Sequence, residues 1–384
     1  MVASYLLLVA GLGTNVVLGE LRREFDLRDS VASLHGSFFG WSLLCLGLAA
    51  PIVARWSRTA LMWTAITSLT LGPVIVATGH SPVQTLLGAA IAGLGAGLVV
   101  MTVPGLSSDH HGPNSGRQFA RINAWAAGVG IGFSITVGAC ITFGLGWRWP
   151  LAIVPLALGL ITAGVFTSAS VPPDTDPPAG HPLLLLKDSG ARSAWTTIVL
   201  CGACELTAAV WAVPMLRDLG GASPGGAAAL GSVFAAGIMI GRFATERHQT
   251  FIVMCLGWII AAAGGMLAWL GPGLPGRVAG LFLIGFGVAP LYPAAIQLLM
   301  SRPGGARQLS AAASVASGIA ITFGPLALGV VADIAGFTTA PLVIPALAVV
   351  GLGHTLLSSD RTNAGSSHLE DESRSTEGFQ STEY

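Results

Sequence analysis

Twelve stretches of about 20 mostly apolar residues follow one another along this chain, and no other feature constrains its fold as tightly. They run approximately over 4–20, 31–53, 60–79, 84–106, 118–144, 149–169, 194–214, 225–244, 251–271, 277–300, 310–332 and 338–358. About 20 apolar residues in a helix cross the ~30 Å of hydrocarbon in a bilayer. A membrane barrel would instead show ~10-residue segments of alternating polarity. These runs are continuous, so helices are expected. Composition points to the same solvent. Only 9% of residues are charged and 53% are hydrophobic, where a soluble domain carries about 25% charged residues. So few charges could not cover a water-facing surface. The first run lacks a basic leader segment and passes straight into a span, which reads as a retained helix rather than a cleaved signal.

The runs are divided by one polar stretch, Ser170 to Ser193, SVPPDTDPPAGHPLLLLKDSGARS. Its five prolines (Pro172, Pro173, Pro177, Pro178, Pro182) and its scattered charges cannot cross a bilayer. The blocks on either side echo each other. GLGAGLVVMTVPG from Gly93 resembles GFGVAPLYPAAIQ from Gly285, and Asp26-Leu27 and Arg55 meet Asp218-Leu219 and Arg247 at the same offset. A repeat of half the chain in one direction predicts two similar bundles of six helices, related by an axis along the membrane normal. The expected division is 1–169 for the first bundle, 170–193 for a cytoplasmic linker, 194–358 for the second bundle, and 359–384 for a tail. The tail is rich in Ser, Thr and acids and reads as disordered.

Lys and Arg set the orientation. With both termini inside, inner segments hold twelve basic residues and outer loops six. The dissenting outer cluster, Arg22, Arg23 and Arg28, is interleaved with Glu20, Glu24, Asp26 and Asp29. It reads as a segment of mixed charge. The five cysteines all lie inside apolar runs, so a disulfide framework is not expected. Cys201 and Cys204 read as small interior residues of one helix.

Twelve spans, a parallel half-chain repeat and a polar central loop resemble the major facilitator superfamily over about residues 4–358. The family's local motif after the second span is Gly-x-Leu-Ala-Asp-Arg-x-Gly-Arg-Arg. Here the place reads APIVARWSRT from Ala50, so Arg55 and Arg58 match while the acid is replaced by Ala54. The second-half echo, GRFATERHQ, keeps Glu246-Arg247, and Gly241-Arg242 looks like the pair that ends the eighth span in bacterial members. The corner Gly146-Trp147-Arg148-Trp149 is also common in the family. The resemblance implies a fold of two six-helix bundles, and an inner gate to which Arg55, Arg58, Arg242, Glu246 and Arg247 belong. Ala54 puts that latch in doubt for the first half, leaving Arg55 and Arg58 as either gate residues or topology anchors.

A transporter of this kind places its site near the midplane, between the halves. Ionisable residues inside spans point to it. Glu205 sits near the middle of the seventh span. It reads as a proton-coupling acid or a ligand for polar cargo, against the plainer reading of a carboxyl satisfied by neighbouring helices. His35 could relay protons, bind cargo, or simply pack against another helix. Asn123 and Trp125 open the fifth span, and a lone Asn there commonly glues helices together. Tyr292 stands between Pro290 and Pro293, where a broken helix could offer carbonyls. Asn15, Gln297 and Trp211 complete the candidates, Trp211 also reading as an anchor at the membrane interface. Asp109, His110 and His111 read as a solvated loop rather than a metal site.

These features exclude several classes. A net charge of zero leaves no nucleic-acid footprint. No P-loop lysine follows the glycine runs, so ATP-driven pumping is not expected. No cofactor, no metal and no clustered catalytic residues are expected, and the chain does not read as an enzyme. The expectation is a secondary active transporter in the plasma membrane, with both termini cytoplasmic. It would move a small organic solute by alternating access, coupled to protons, and act as a single chain in the lipid bilayer. Drug-like efflux and uptake of a sugar or metabolite both fit. The alternative is a receptor on the same scaffold that binds without turnover.

Overall fold

The computed structural model describes residues 1–111, 115–168, 180–244 and 250–358. Side chains at 104–105, 107–111, 115–120, 123–124, 243–244, 250 and 306 stand outside that description. Among the described residues every regular element is a helix, and twelve are long and apolar enough to span a bilayer. They are α1 Val2–Glu24, α2 Asp29–Leu48, α3 Arg58–Thr78, α4 Pro82–Val103, α5 Trp125–Thr142, α6 Arg148–Thr167, α7 Ser189–Leu219, α8 Pro224–Arg242, α9 Phe251–Leu270, α10 Gly273–Met300, α11 Arg307–Ala335 and α12 Ala340–Ser358. Each apolar run of the sequence meets one of them. The linker before residue 180, residues 245–249 and the tail after residue 358 lie outside the described residues.

Several helices run longer than their expected spans, two of them through charged last turns. The first was expected to stop near residue 20, but α1 carries Arg22, Arg23 and Glu24 in its last turn. The seventh was expected to stop near residue 214, but α7 continues through Pro214 as a widened turn over Met215–Leu219, with Arg217 and Asp218 on it. The tenth starts four residues before its expected position and is interrupted at Ala289 and Pro290. In α1 and α7 the helix continues past the apolar run, because its charged end meets partners in the other half.

Two helix pairs dominate the contact between the first six helices and the last six: α2 with α11, and α5 with α8. Advancing each helix by six positions exchanges these two pairs, as a twofold relation between bundles requires. Within each half the same pairings recur, α3 with α4 matching α9 with α10, and α2 with α4 matching α8 with α10. Small residues permit the cross-half approach. A Cβ at Gly40 of α2 would stand 2.7 Å from the Gly318 carbonyl of α11. A Cβ at Gly138 of α5 would stand 2.5 Å from the Gly225 carbonyl of α8. Neither position admits a larger residue without separating the helices.

The core is split between the halves. In the second half Trp211, Trp258, Leu216 and Met215 are completely buried, and in the first Leu7, Leu69 and Met62 are. Trp211 was expected either to touch cargo or to serve as an interface anchor. It is instead an interior residue whose indole N–H donates to the Pro325 carbonyl at 3.0 Å, and its ring packs against Phe337. A buried indole needs one acceptor, and α11 supplies it. The described end of the linker is anchored too. Pro182–Lys187 forms a short 3-10 helix, Leu185 is buried against Leu309 and Ala312, and Gln308 donates to the His181 carbonyl at 2.9 Å. The run of four leucines, Leu183 to Leu186, is what gives this polar stretch an apolar foothold.

Candidate functional site

A small set of polar groups meets between the halves. Glu205 lies on α7, with Cys201 one turn before it. The charge of Arg242, at the end of α8, acts on the Glu205 carboxylate, and both groups act on the Tyr292 hydroxyl of α10. The Tyr292 hydroxyl shares a hydrogen bond of 3.1 Å with Ser317 Oγ of α11. From the other half, the buried Tyr5 of α1 comes within electrostatic reach of Tyr292. Local sequence explains these positions. The break at Ala289 and Pro290 ends one helical segment and starts another at Leu291, so Tyr292 opens a first turn whose direction differs from the preceding one. Glu205 is partly buried. A half-buried acid beside a guanidinium within a membrane span is a costly arrangement that stability alone does not call for.

A second polar group sits deeper in the first half, where α1 is broken. Its helix is interrupted by a 3-10 turn over Gly13–Asn15. Beside the break is a cavity of about 10 Å³ lined by Thr14, Asn15, His35, Gly36 and Ala92, room for about one water. His35 is buried, its Nδ1 3.1 Å from the Ala32 carbonyl and its Nε2 3.1 Å from Thr85 Oγ1. Thr85 in turn donates to the Pro82 carbonyl at 3.0 Å. His35 therefore ties α2 to the first turn of α4.

The end of the bundle opposite the termini is closed by charge. Asp218 of α7 pairs with Arg22 and, at 2.7 Å, with Arg23, both on α1. Arg22 also meets Asp29 at 2.5 Å, and Arg217 of α7 pairs with Glu20 of α1. Asp333, at the end of α11, accepts from the backbone amides of Asp29 (2.9 Å) and Ser30 (3.2 Å). Those amides belong to the first turn of α2, which lacks any side-chain cap of its own. A carboxylate from one half thus caps a helix of the other. Arg22 further lies 5.4 Å from the Phe337 ring centroid. Arg148 works inside the first half only. It pairs with Glu24 and donates to the Ala77 (2.6 Å) and Gly79 (2.9 Å) carbonyls, which fixes the corner that its Gly-Trp-Arg-Trp sequence marked.

A model of the family described as Major Facilitator Superfamily matches residues 1–325. The chain belongs to the major facilitator superfamily. Solved transporters of this superfamily share its architecture. A nucleoside transporter, NupG, solved in mutant form, aligns with a TM-score of 0.75 at 16% identity, covering 93% of this chain and 98% of that one. A bacterial homolog of the human lysosomal transporter Spinster, in an inward-facing and occupied conformation, aligns with a TM-score of 0.71 at 15% identity over 94% of this chain and 95% of that one. The E. coli fucose:proton symporter FucP, also solved as a mutant, aligns with a TM-score of 0.64 at 16% identity, covering 93% and 97%. At such identities the likeness establishes the superfamily fold alone. Among curated proteins no match was found.

Against this fold the expected site residues divide. Glu205 and Tyr292 lie within electrostatic reach of each other, and the charge of Arg242, expected at a gate, acts on both. His35 and Asn15 share the small cavity in the first half. Trp211 is structural, as described. Trp125 is 68% exposed and Gln297 is exposed, so neither is enclosed with the others. Arg55 is exposed and Arg58 half-buried after α2. Glu246, Arg247 and the side chains of Asn123, Asp109, His110 and His111 lie outside the described residues. Sequence reasoning missed Tyr5 and Ser317, which carry no signal among so many apolar neighbours. It also read Glu20 and Arg22 as an outer segment of mixed charge, and Asp218 only as the echo of Asp26. Their offset repeat, Asp26 with Asp218, was the one hint.

Proposed function

We propose that this chain is a proton-coupled secondary transporter of a small organic solute, working by alternating access in the plasma membrane with both termini cytoplasmic. The two halves, 1–169 and 194–358, are the bodies that rock. The cargo is a neutral or weakly ionised molecule, because one acid and one base cannot balance a highly charged one. The observation that carries the reading is an acid, Glu205, partly buried within the membrane span α7 and under the charge of Arg242 of α8, with the buried Tyr5 of the other half within electrostatic reach of Tyr292. An acid held between two bodies, beside a competing base, couples its proton to whatever displaces that base. On this orientation the charged closure of Arg22, Asp218 and Asp333 faces outward, and the chain is in its outward-closed state.

The test is solute movement in vesicles of purified protein under an imposed pH step, with a panel of sugars, nucleosides and lipophilic compounds. The wild type is expected to respond to the step, and Glu205→Gln to transport at a rate that ignores it. Uptake and efflux that are indifferent to the step in both proteins would remove the coupling.

A further inference from the structure

A groove on the outside of the first half takes no part in the site described above. It holds about 330 Å³ between α2 and α4, with Phe38, Trp41, Cys45 and Ala49 on one side and Ala90 and Leu94 on the other. Sites that hold a small ligand begin at about this volume. The neighbours of α2 fix the direction in which the groove opens. Gly36 faces Val210 of α7 inside the bundle, Gly40 and Gly47 face α11, and Gly93 of α4 packs on the Phe38 backbone. Trp41, 45% exposed, and Cys45, also exposed, occupy the remaining side, which is the side of the lipid. The wall is apolar, since the Ser42 hydroxyl in it donates to the Phe38 carbonyl at 3.0 Å.

The groove has the depth of one leaflet. Phe38 stands near the middle of α2, and Ala49 follows its last residue, Leu48. From Phe38 to Ala49 a helix rises about 16 Å, half of the ~30 Å hydrocarbon core. The groove thus runs from mid-bilayer to the end of the bundle that holds the chain termini. Beyond Ala49 the exposed face continues through Ile52 to Trp56, which is 58% exposed. A tryptophan exposed just past the end of a span marks the level of the lipid headgroups. Arg55 is exposed beside it. From Ala49 to Thr59 the chain contains no acid, and Ala54 occupies the acidic position of the motif. Among the described residues the one acid at this end is Asp188, which caps α7 by accepting from the Ala191 amide at 2.7 Å. Arg55, Arg58, Arg121, Lys187, Arg192 and Arg302 stand at the same end. At the opposite end acids and bases pair with each other.

We propose that the groove and Arg55 form a binding site for one anionic phospholipid, its acyl chain lying between α2 and α4 and its phosphate on the Arg55 guanidinium. Each part of the lipid meets a separate feature. A hydrocarbon chain fills a concave apolar wall at membrane depth, where water is absent. A guanidinium fork fits a phosphate. Basic sites between spans on the cytoplasmic side attract anionic headgroups, and that is the side of Arg55 when both termini are cytoplasmic. A zwitterionic lipid offers the same tail but brings its own cation to the guanidinium. Free phosphate offers the charge without the tail. The site rests on the proposed orientation only for the name of its leaflet, and on neither the cargo nor the coupling ion.

The experiment counts lipids on the full-length purified protein by native mass spectrometry in a neutral detergent. The probes are phosphatidylglycerol, phosphatidylcholine with identical chains, and inorganic phosphate. The wild type is expected to bind one phosphatidylglycerol about fivefold more tightly than phosphatidylcholine, the preference that one base at the membrane surface supplies. Arg55→Gln should bring the two lipids to parity. Cys45→Trp lays a bulky ring across the groove and should weaken the first bound lipid of either kind. Both positions are exposed, so neither change burdens the packed interior. Arg121→Gln removes an exposed base at the same end and should leave the preference intact. Parity of the two lipids on the wild type, a preference that survives Arg55→Gln, or an unchanged first lipid in Cys45→Trp would overturn the proposal. So would an equal loss in Arg121→Gln, the mark of a diffuse surface attraction, or displacement of the lipid by inorganic phosphate. None of these outcomes bears on whether the chain transports.

Discussion

Removing the carboxylates that join the halves at the end opposite the termini should open that end, by an amount the contacts allow to be worked out. Asp333 caps two amides of α2 from α11, and Asp218 bridges Arg22 and Arg23 from α7. Both contacts cross between halves, so both are lost when the end opens. Removing them therefore penalises the closed state alone. Loss of a helix cap costs about 1 kcal/mol. The Asp218 bridge has side chains 18–41% exposed, and a pair of that kind contributes about 0.2–1 kcal/mol. The two sites share the Arg22–Asp29 pair, so their effects couple and the single variants are measured beside the double one. The double variant Asp218→Asn/Asp333→Asn should thus move the closed-to-open ratio by about 1–2 kcal/mol, a factor of roughly 5–30. Spin labels on Ser81 of the first half and Thr338 of the second, in a background without the native cysteines, would report the change by pulsed dipolar spectroscopy. The longer-distance population is expected to grow in the double variant, with each single variant giving part of the effect. An unchanged distance distribution in a folded double variant would refute the claim that these charges hold the closure.

Three other expectations follow from single contacts. Trp211→Phe removes the donor to Pro325 within a fully buried site, and should lower stability by about 1–3 kcal/mol in thermal denaturation without changing the pH response of transport. Thr85→Val deletes the hydroxyl that joins His35 to the start of α4, and a loss of about 1 kcal/mol is expected by the same assay. Gly138→Val forces α5 away from α8 where no Cβ fits, a strain of about 1–3 kcal/mol, so the label pair should again report separation at that end.

How much of this was legible in the sequence depended on the scale of the signal. The twelve spans and the two-bundle fold followed from long apolar runs and the offset repeat, which average over many residues and survive local error. Glu205 was legible because a carboxylate stands out against CGACELTAAVW. Its partner was not, since Arg242 sits at the end of a span, where a basic residue is expected for reasons of topology. Only the folded chain brings that end of α8 against the middle of α7. Tyr5 was hidden for a different reason: one tyrosine in VASYLLLVAG looks like packing. The charges around residue 22 were visible but read as an outer segment of mixed charge. Pairing between positions nearly 200 residues apart cannot be read from local spacing.

Both long seams between the halves rest on glycine contacts, but one of them also ends in charge. Along α5 and α8 the helices meet through Gly138 and Gly225, backbone against backbone. Where α2 begins and α11 ends they meet through a carboxylate and two amides, beside the Asp218 bridge. Salt in the surrounding medium weakens the second kind of join and leaves the first untouched. The protein therefore possesses a clasp and a pivot, and brine at that face loosens only the clasp.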